Sequence, residues 1–375
     1  MNINFLHKTA ESYINNFIFP SEPLKPMWNR ENFIFGKKAK WNYIDNCLIR
    51  SLLMMYDRTK NSNLLDYSVK FINTYVDENG NIPTMNIKDF NLDNICGCRN
   101  LVYLFKITKD SRYEKAYEKI FINQTENQPR LKCGNFWHKA VYPYQLWLDG
   151  VYMALPFMAE YAVIHENMNI IHDIEKQLKN IYNIMRDSNT GLYYHGYDET
   201  KSLVWADKNT GLSPNFWLRS IGWLCAGLAD ICEILPEYDF FRDMLSDLLY
   251  SLEKFTDSDG MLYQLPAKPE LKGNYRETSG TLLFAYSCMK SVRLNICDDD
   301  IFQTGEKALS AVLNNYTRFE NNIPVLENIC LMGGLGGSQN RDGSDEYYIH
   351  EKTVENDAKG IAPFLMAYNE YLLKK

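Results

Sequence analysis

An all-α fold, closed as a ring of helical hairpins, is predicted by three observations on the 375-residue sequence. Apolar residues recur at helical spacing through most of the chain, as in the stripe Leu224, Leu228, Ile231 and Leu235. Strand-like alternation is confined to short pieces, Gly191–Tyr194 and Gly260–Gln264. Turn sequences recur. DSNTGLYYH (Asp187–His195) and DSDGMLYQ (Asp257–Gln264) lie about seventy residues apart, roughly two helices with their connections.

Helices are expected over 3–18, 41–58, 62–76, 91–107, 110–126, 145–164, 169–186, 215–234, 238–254, 276–293, 299–314 and 356–373. The turns between them, including DENGN at Asp77–Asn81, place Asp and Gly where the chain reverses. Gly supplies positive φ, and Asp bonds its own backbone. About twelve helices pair into six hairpins. Each hairpin buries its apolar face only against its neighbours, which closes them into an α/α toroid. The alternative is an open α-solenoid, against which the irregular, aromatic-bearing loops argue. No Pro/Ser/Gly-rich linker divides the chain, so one domain over 1–375 is expected.

Composition narrows the function. Hydrophobic residues make up 46% and charged residues 23%, which suits a sizeable core and argues against disorder. Net charge is −7 with no basic stripe, so nucleic acid is not the expected partner. An anionic small ligand would need a local cationic pocket. No run approaches the roughly 20 apolar residues of a membrane span. The N-terminus MNINFLHKTAESYINNFIFP lacks a basic stretch, an apolar core and a small-residue cleavage site, so no signal peptide and a cytoplasmic location are expected. Of nine cysteines, only Cys96 and Cys98 are close, and that is not zinc spacing; reduced thiols and no metal are expected. Aromatic residues reach 14%, which fits either a sugar-lined cleft or a Tyr-rich core.

Three segments are dense in residues that a core does not need: Gly134–Tyr161, Leu212–Pro236 and Gly333–Glu370. In the first, Asp149 stands at the start of an apolar helix between Trp147 and Tyr152. It reads either as a helix N-cap, worth about 1 kcal/mol, or as a general acid whose pKa aromatic desolvation raises. His138 and Lys139 follow Phe136 and Trp137 in a loop and supply polar and cationic groups. In the second, Arg219 lies between Trp217 and Trp223. It either holds a carboxylate or extends beside two core tryptophans. His195 follows Tyr193 and Tyr194. In the third, GGLGG at 333–337 lacks the Gly-Lys-Ser/Thr of a phosphate loop and reads as a flexible loop over a cleft.

At these residues the sequence resembles the unsaturated rhamnogalacturonyl hydrolases of glycoside hydrolase family 105, related to the family 88 unsaturated glucuronyl hydrolases. The matching stretches are FWHKAVYPYQLWLDGVYMALPFMAEY (136–161), NFWLRSIGWLCAGLADICEILP (215–236), YRETSGTLLFAYS (275–287) and DGSDEYYIHEKTVENDAKGIAPFLMAYNEY (342–371). LDNICGCRNLVYLFKITKDSRY (92–113) matches more loosely. The resemblance implies an (α/α)6 barrel. It also implies removal of a 4,5-unsaturated uronic acid from lyase-generated oligosaccharides, with no metal or organic cofactor. That ring is a vinyl ether: C4 is protonated, water adds at C5, and the hemiketal opens with loss of the glycosidic bond.

By the same resemblance Asp149 is the proton donor, and Asp93 orients water or binds a hydroxyl. His138, Lys139, His195, Arg219 and Trp223 line the subsite, with Arg219 or Lys139 neutralising the uronate. Trp41 and Tyr43 contribute stacking. The partner expected is a small anionic oligosaccharide, most often with rhamnose as leaving sugar, acted on by a monomer or homodimer. Two other readings remain at this stage. One is an α/α-barrel epimerase or inverting glycosidase acting on saturated sugars; the other is a sugar-binding protein without catalysis.

Overall fold

The computed structural model describes residues 1–374. In chain order the helices are α1 (Ile3–Ser12), α2 (Arg30–Phe35), α3 (Tyr43–Thr59), α4 (Ser62–Asn73), α5 (Cys98–Thr108), α6 (Ser111–Ile120), α7 (Asp149–Ile164), α8 (Met168–Met185), α9 (Leu218–Ile234), α10 (Asp239–Glu253), α11 (Thr278–Arg293), α12 (Asp299–Asn315), α13 (Asp345–Ile349) and α14 (Ala358–Lys374). Helices α1 and α6 each run on into a π-helical turn, Tyr13–Ile18 and Phe121–Thr125.

Six helices, α3, α5, α7, α9, α11 and α14, form the inner ring, each packed on the next, and α14 returns to α3. Outside them α4, α6, α8, α10, α12 and α1 cover α3, α5, α7, α9, α11 and α14 in turn. The fold is the expected (α/α)6 barrel. Side-chain patterning assigns the rings. Helix α11 is buried without a break from Thr278 to Val292, as only a helix covered on every side can be. Helix α10 buries one stripe, Phe241, Met244, Leu245, Leu248, Leu249 and Leu252, and leaves its other face to solvent. Each outer helix carries the chain back, so the six inner helices run the same way. Their N-termini, with their partial positive charge, gather at one end of the barrel.

All twelve expected helices are present. Two begin later than expected. Leu92–Asn94 form a single 3-10 turn, 95–97 are turn, and α5 starts at Cys98. Residues 145–147 form a strand, β1 (Gln145–Trp147), paired antiparallel with β2 (Gly196–Asp198), so α7 starts at Asp149. The two pieces expected to be strand-like make only single bridges, Tyr193 to Arg186 and Tyr263 to Arg276. The remaining ladders pair β3 (Thr317–Glu320) with β4 (Ile323–Leu326), and β5 (Ile329–Cys330) with β6 (Thr353–Val354). Among the described residues no helix is long and apolar enough to cross a membrane. All nine cysteines are free, and the Cys47 and Cys96 sulfurs lie 3.7 Å apart.

Candidate active site

A cleft opens among the N-termini of the inner helices. Tyr43 of α3, Asp93, His138 and Lys139, Trp147 of β1, Asp149 of α7 and the loop residues Met332–Gly334 and Arg341 line it. Asp149 is the first residue of α7. The N-cap is Leu148, which makes no side-chain cap bond, so Asp149 does not cap its helix. Its Oδ2 is buried and makes no well-formed hydrogen bond.

Below Asp149 lies His195, fully buried, with Nε2 3.4 Å from Oδ2. The contact is long and poorly aligned, at the outer limit of a hydrogen bond, and it is the interaction that most favours the charged carboxylate. On the other side of the ring His195 Nδ1 lies 2.6 Å from the Tyr348 hydroxyl. When Tyr348 donates there, the neutral imidazole carries its proton on Nε2, facing Asp149. Trp147 stands edge-on to the His195 ring, and Trp217 packs against it at 4.7 Å between centroids.

Burial pushes the Asp149 carboxyl up. The pull of His195, with His138 and Arg219 behind it, is greater in sum and leaves its pKa below the usual carboxylate value. The expectation of a raised pKa is therefore corrected. The aromatic neighbours do desolvate the carboxyl, but three basic side chains stand close enough to override them.

A second carboxylate, Asp93, sits across the cleft. Lys139 Nζ donates to its Oδ2 at 2.5 Å, and His138 Nε2 lies 3.6 Å from its Oδ1. Asp93 holds the Lys139 ammonium charged against the effect of burial. Burial pushes His138 down to about 4, so its ring is neutral; it stacks on Trp147 at 4.6 Å, and Trp147 stacks on Tyr142. Gly150 leaves the space for this: a Cβ there would stand 2.9 Å from Leu92 and 3.5 Å from His138 Nδ1.

Tyr43, Asp93, His138, Lys139 and Asp149 thus meet in one cleft, with His195 directly beneath. The other three expected residues lie elsewhere. Arg219 is 1% exposed; its Nη1 donates to the Cys330 carbonyl and lies 3.4 Å from Ser279 Oγ, and its guanidinium covers Trp217. Expected as a direct clamp on a carboxylate, it is instead a buried charge below the cleft. Trp223 is likewise buried, packed on Tyr152 and edge-on to Tyr43, so it supports the wall. Trp41 does not stack in the cleft: its indole is buried, Nε1 donates to the Asn94 carbonyl, and the ring fills the space over Gly97.

Residues not singled out from sequence also shape the site. Tyr348 and Tyr142 stood in matching stretches without a signal that separated them from core tyrosines. Arg341 follows the glycine-rich loop, which does lie at the cleft. Asp45, fully buried beside it, accepts from Trp28 Nε1 at 2.9 Å, Asn29 Nδ2 at 3.0 Å and Asn42 Nδ2 at 2.7 Å. Burial, partly opposed by these bonds, pushes it up to about 6.

The sequence profile of Glycosyl Hydrolase Family 88 matches residues 24–374. A family 105 glycoside hydrolase from C. acetobutylicum ATCC 824 is 33% identical, and its structure covers 98% of this chain and 99% of its own with a TM-score of 0.89. The unsaturated rhamnogalacturonyl hydrolase YesR of Bacillus subtilis (strain 168) is 23% identical over 291 residues, 75% of this chain and 77% of that protein. The unsaturated glucuronyl hydrolase of Bacillus sp. GL1 shares the fold at 12% identity, with a TM-score of 0.67 over 88% of this chain and 87% of that one.

Proposed function

The chain belongs to Glycosyl Hydrolase Family 88, and on that premise we propose that it removes a 4,5-unsaturated uronic acid from the non-reducing end of lyase-generated oligosaccharides. Unsaturated galacturonyl-rhamnose is the substrate we favour. It is a glycoside hydrolase, with relatives named for unsaturated rhamnogalacturonyl and glucuronyl substrates. The observation that carries the reading is Asp149, a largely buried carboxylate that lines a polar cleft and is backed by His195 at 3.4 Å.

In this reading Asp149 donates a proton to C4 of the vinyl ether. The positive charge that develops at C5 is stabilised by the ring oxygen, and water adds there. Asp93, fixed by Lys139, orients that water or a ring hydroxyl. The hemiketal at C5 then opens and releases the leaving sugar. A lowered Asp149 pKa fits this sequence. His195 and Arg219 hold Asp149 ionised until an anionic uronate arrives, and the negative charge of the uronate then favours the protonated acid. The six helix N-termini around the cleft add to the local positive potential that a chain of net charge −7 otherwise lacks.

A single acid with a partner carboxylate engaged by lysine differs from the paired carboxylates of ordinary glycosidases, so their spacing rule does not apply. We place the reaction in the cytoplasm. Nine free cysteines, two of them with sulfurs in contact, suit a reducing compartment. The test is loss of the ultraviolet absorbance of the double bond when the protein meets an unsaturated rhamnogalacturonan disaccharide. Loss with wild type and none with Asp149→Asn is expected. Absorbance that persists across unsaturated disaccharides from pectin and glycosaminoglycans would contradict the reading.

A further inference from the structure

The cleft does not end at the catalytic carboxylates. Its outer side is the segment between α2 and α3, and that segment is unusual for its place in the fold. Helix α2 reads RENFIF, yet none of its residues is buried; Phe33 and Phe35 are 56% and 45% exposed. The next turn, GKKAK, brings Lys37 and Lys40 to the cleft. Lys37 stands 4.9 Å over the Phe35 ring. Its nearest carboxylate, Glu31, is 3.8 Å away and is held more closely, at 3.0 Å, by the buried Lys359. Lys40 makes no ion pair among the described residues. Phe33 and Phe35 stand beside the cleft, not in its lining, under Arg30 and Lys37 respectively, so it is the two lysines that present charge to the cleft, and ammonium groups without close partners attract carboxylates.

The platform is nonetheless firmly mounted. Asp45 ties Asn29 and Asn42 together on either side of it, and Gly36 ends α2 with φ of 60°. Lysines presented to the cleft from a firmly tied turn suit ligand capture better than packing.

We propose that Phe33–Lys40 forms an outer subsite for a sugar beyond the leaving residue, with Lys37 and Lys40 receiving its carboxylate. Acidic oligosaccharides that extend that disaccharide with a further uronate then bind more tightly than the disaccharide itself. This deepens the reading of the same cleft and rests on it.

Calorimetry on full-length Asp149→Asn tests it, with the unsaturated disaccharide and the unsaturated tetrasaccharide of an alternating uronate–rhamnose polymer as probes. The tetrasaccharide is expected to bind about fivefold tighter, the size of two exposed charge contacts. The preference should shrink with added salt and fall to about one when Lys37→Ala and Lys40→Ala are combined. Equal binding of the two probes, or a preference that survives both substitutions, overturns the subsite. Wild-type turnover followed by ultraviolet absorbance is the separate check on the reaction. If neither probe is consumed while the preference persists, the reaction is wrong and the subsite stands.

Discussion

The two ends of the barrel treat buried charge in opposite ways. At the N-terminal end of the inner helices, Asp149 Oδ2, His195 Nε2 and His138 Nδ1 are buried without partners. Eleven residues further along α7, about 16 Å down the axis, the helices are joined by ions that answer one another. Asp230 takes Arg99, Lys290 and the Tyr286 hydroxyl. Lys290 also meets Glu233 at 2.7 Å, Arg293 bridges Glu233 and Glu370, and Arg99 reaches Glu160 at 3.0 Å. Only Glu160 Oε2 and Arg50 Nε of that network lack partners. Burial pushes Asp230 and Glu233 up, and their cations pull both far lower, Glu233 to about 2. One end is satisfied and ties α5, α7, α9, α11 and α14 together. The other sets acid and base side by side without closing the hydrogen bond between them.

The largest effects should separate these ends. Asp149→Asn is expected to lower turnover about 10²–10⁴-fold, the usual worth of a positioned general acid, while the melting temperature stays near wild type. Asp230→Ala should do the reverse. Stripping one partner from a buried ion network costs about 3–5 kcal/mol, read in chemical denaturation. Loss of stability in the first variant, or none in the second, would break the comparison.

Asp45 sharpens it, being a satisfied carboxylate at the open end that has donors but no cation. Its folded pKa, about 6, lies above the ordinary 3.8, so the folded state holds its proton more tightly than the unfolded. The associated stability is present below pH 3.8 and lost as pH rises through 6. Two units correspond to about 3 kcal/mol. The stability deficit of Asp45→Asn relative to wild type should therefore narrow from pH 4 to pH 7, as followed by denaturation across that range. A constant deficit would show that Asp45 does not titrate there.

A smaller shift is expected from His195→Gln. Removing the strongest opposing pull on Asp149 leaves burial to act, so the Asp149 pKa should rise. Carboxyl NMR titration would record that rise, and an unchanged or lower value would assign the depressed pKa to Arg219 and His138 instead.

The helical ring was legible because its signal is long-range. Outer helices repeat one stripe, the inner helices α7 and α9 are apolar on nearly every face, and the turns mark each reversal. Strand β1 was not, since three residues carry no period and Gln145–Trp147 pairs only with residues about fifty positions away. Helices α2 and α13, six and five residues long, fall below the reach of periodicity in the same way. At the site, residue types were readable but depth was not. Trp41 and Tyr43 are two positions apart, yet one fills the wall beside Gly97 and the other lines the cleft. Arg219 was recognisable as a cation among tryptophans; only tertiary packing puts the Cys330 carbonyl on it. The sign of the Asp149 shift depended on His195, forty-six residues away in the chain, which no local reading of WLDGVY includes.

The central claim is that Asp149 protonates C4 of an unsaturated uronic acid. Turnover of the unsaturated disaccharide in deuterium oxide, with the product examined early by NMR and mass spectrometry, tests it most directly. The account predicts one deuterium at C4, on a single face, with the double bond gone and no such product from Asp149→Asn. Release of a sugar that still carries its double bond, with no deuterium at C4, would mean attack at the anomeric carbon and would contradict it.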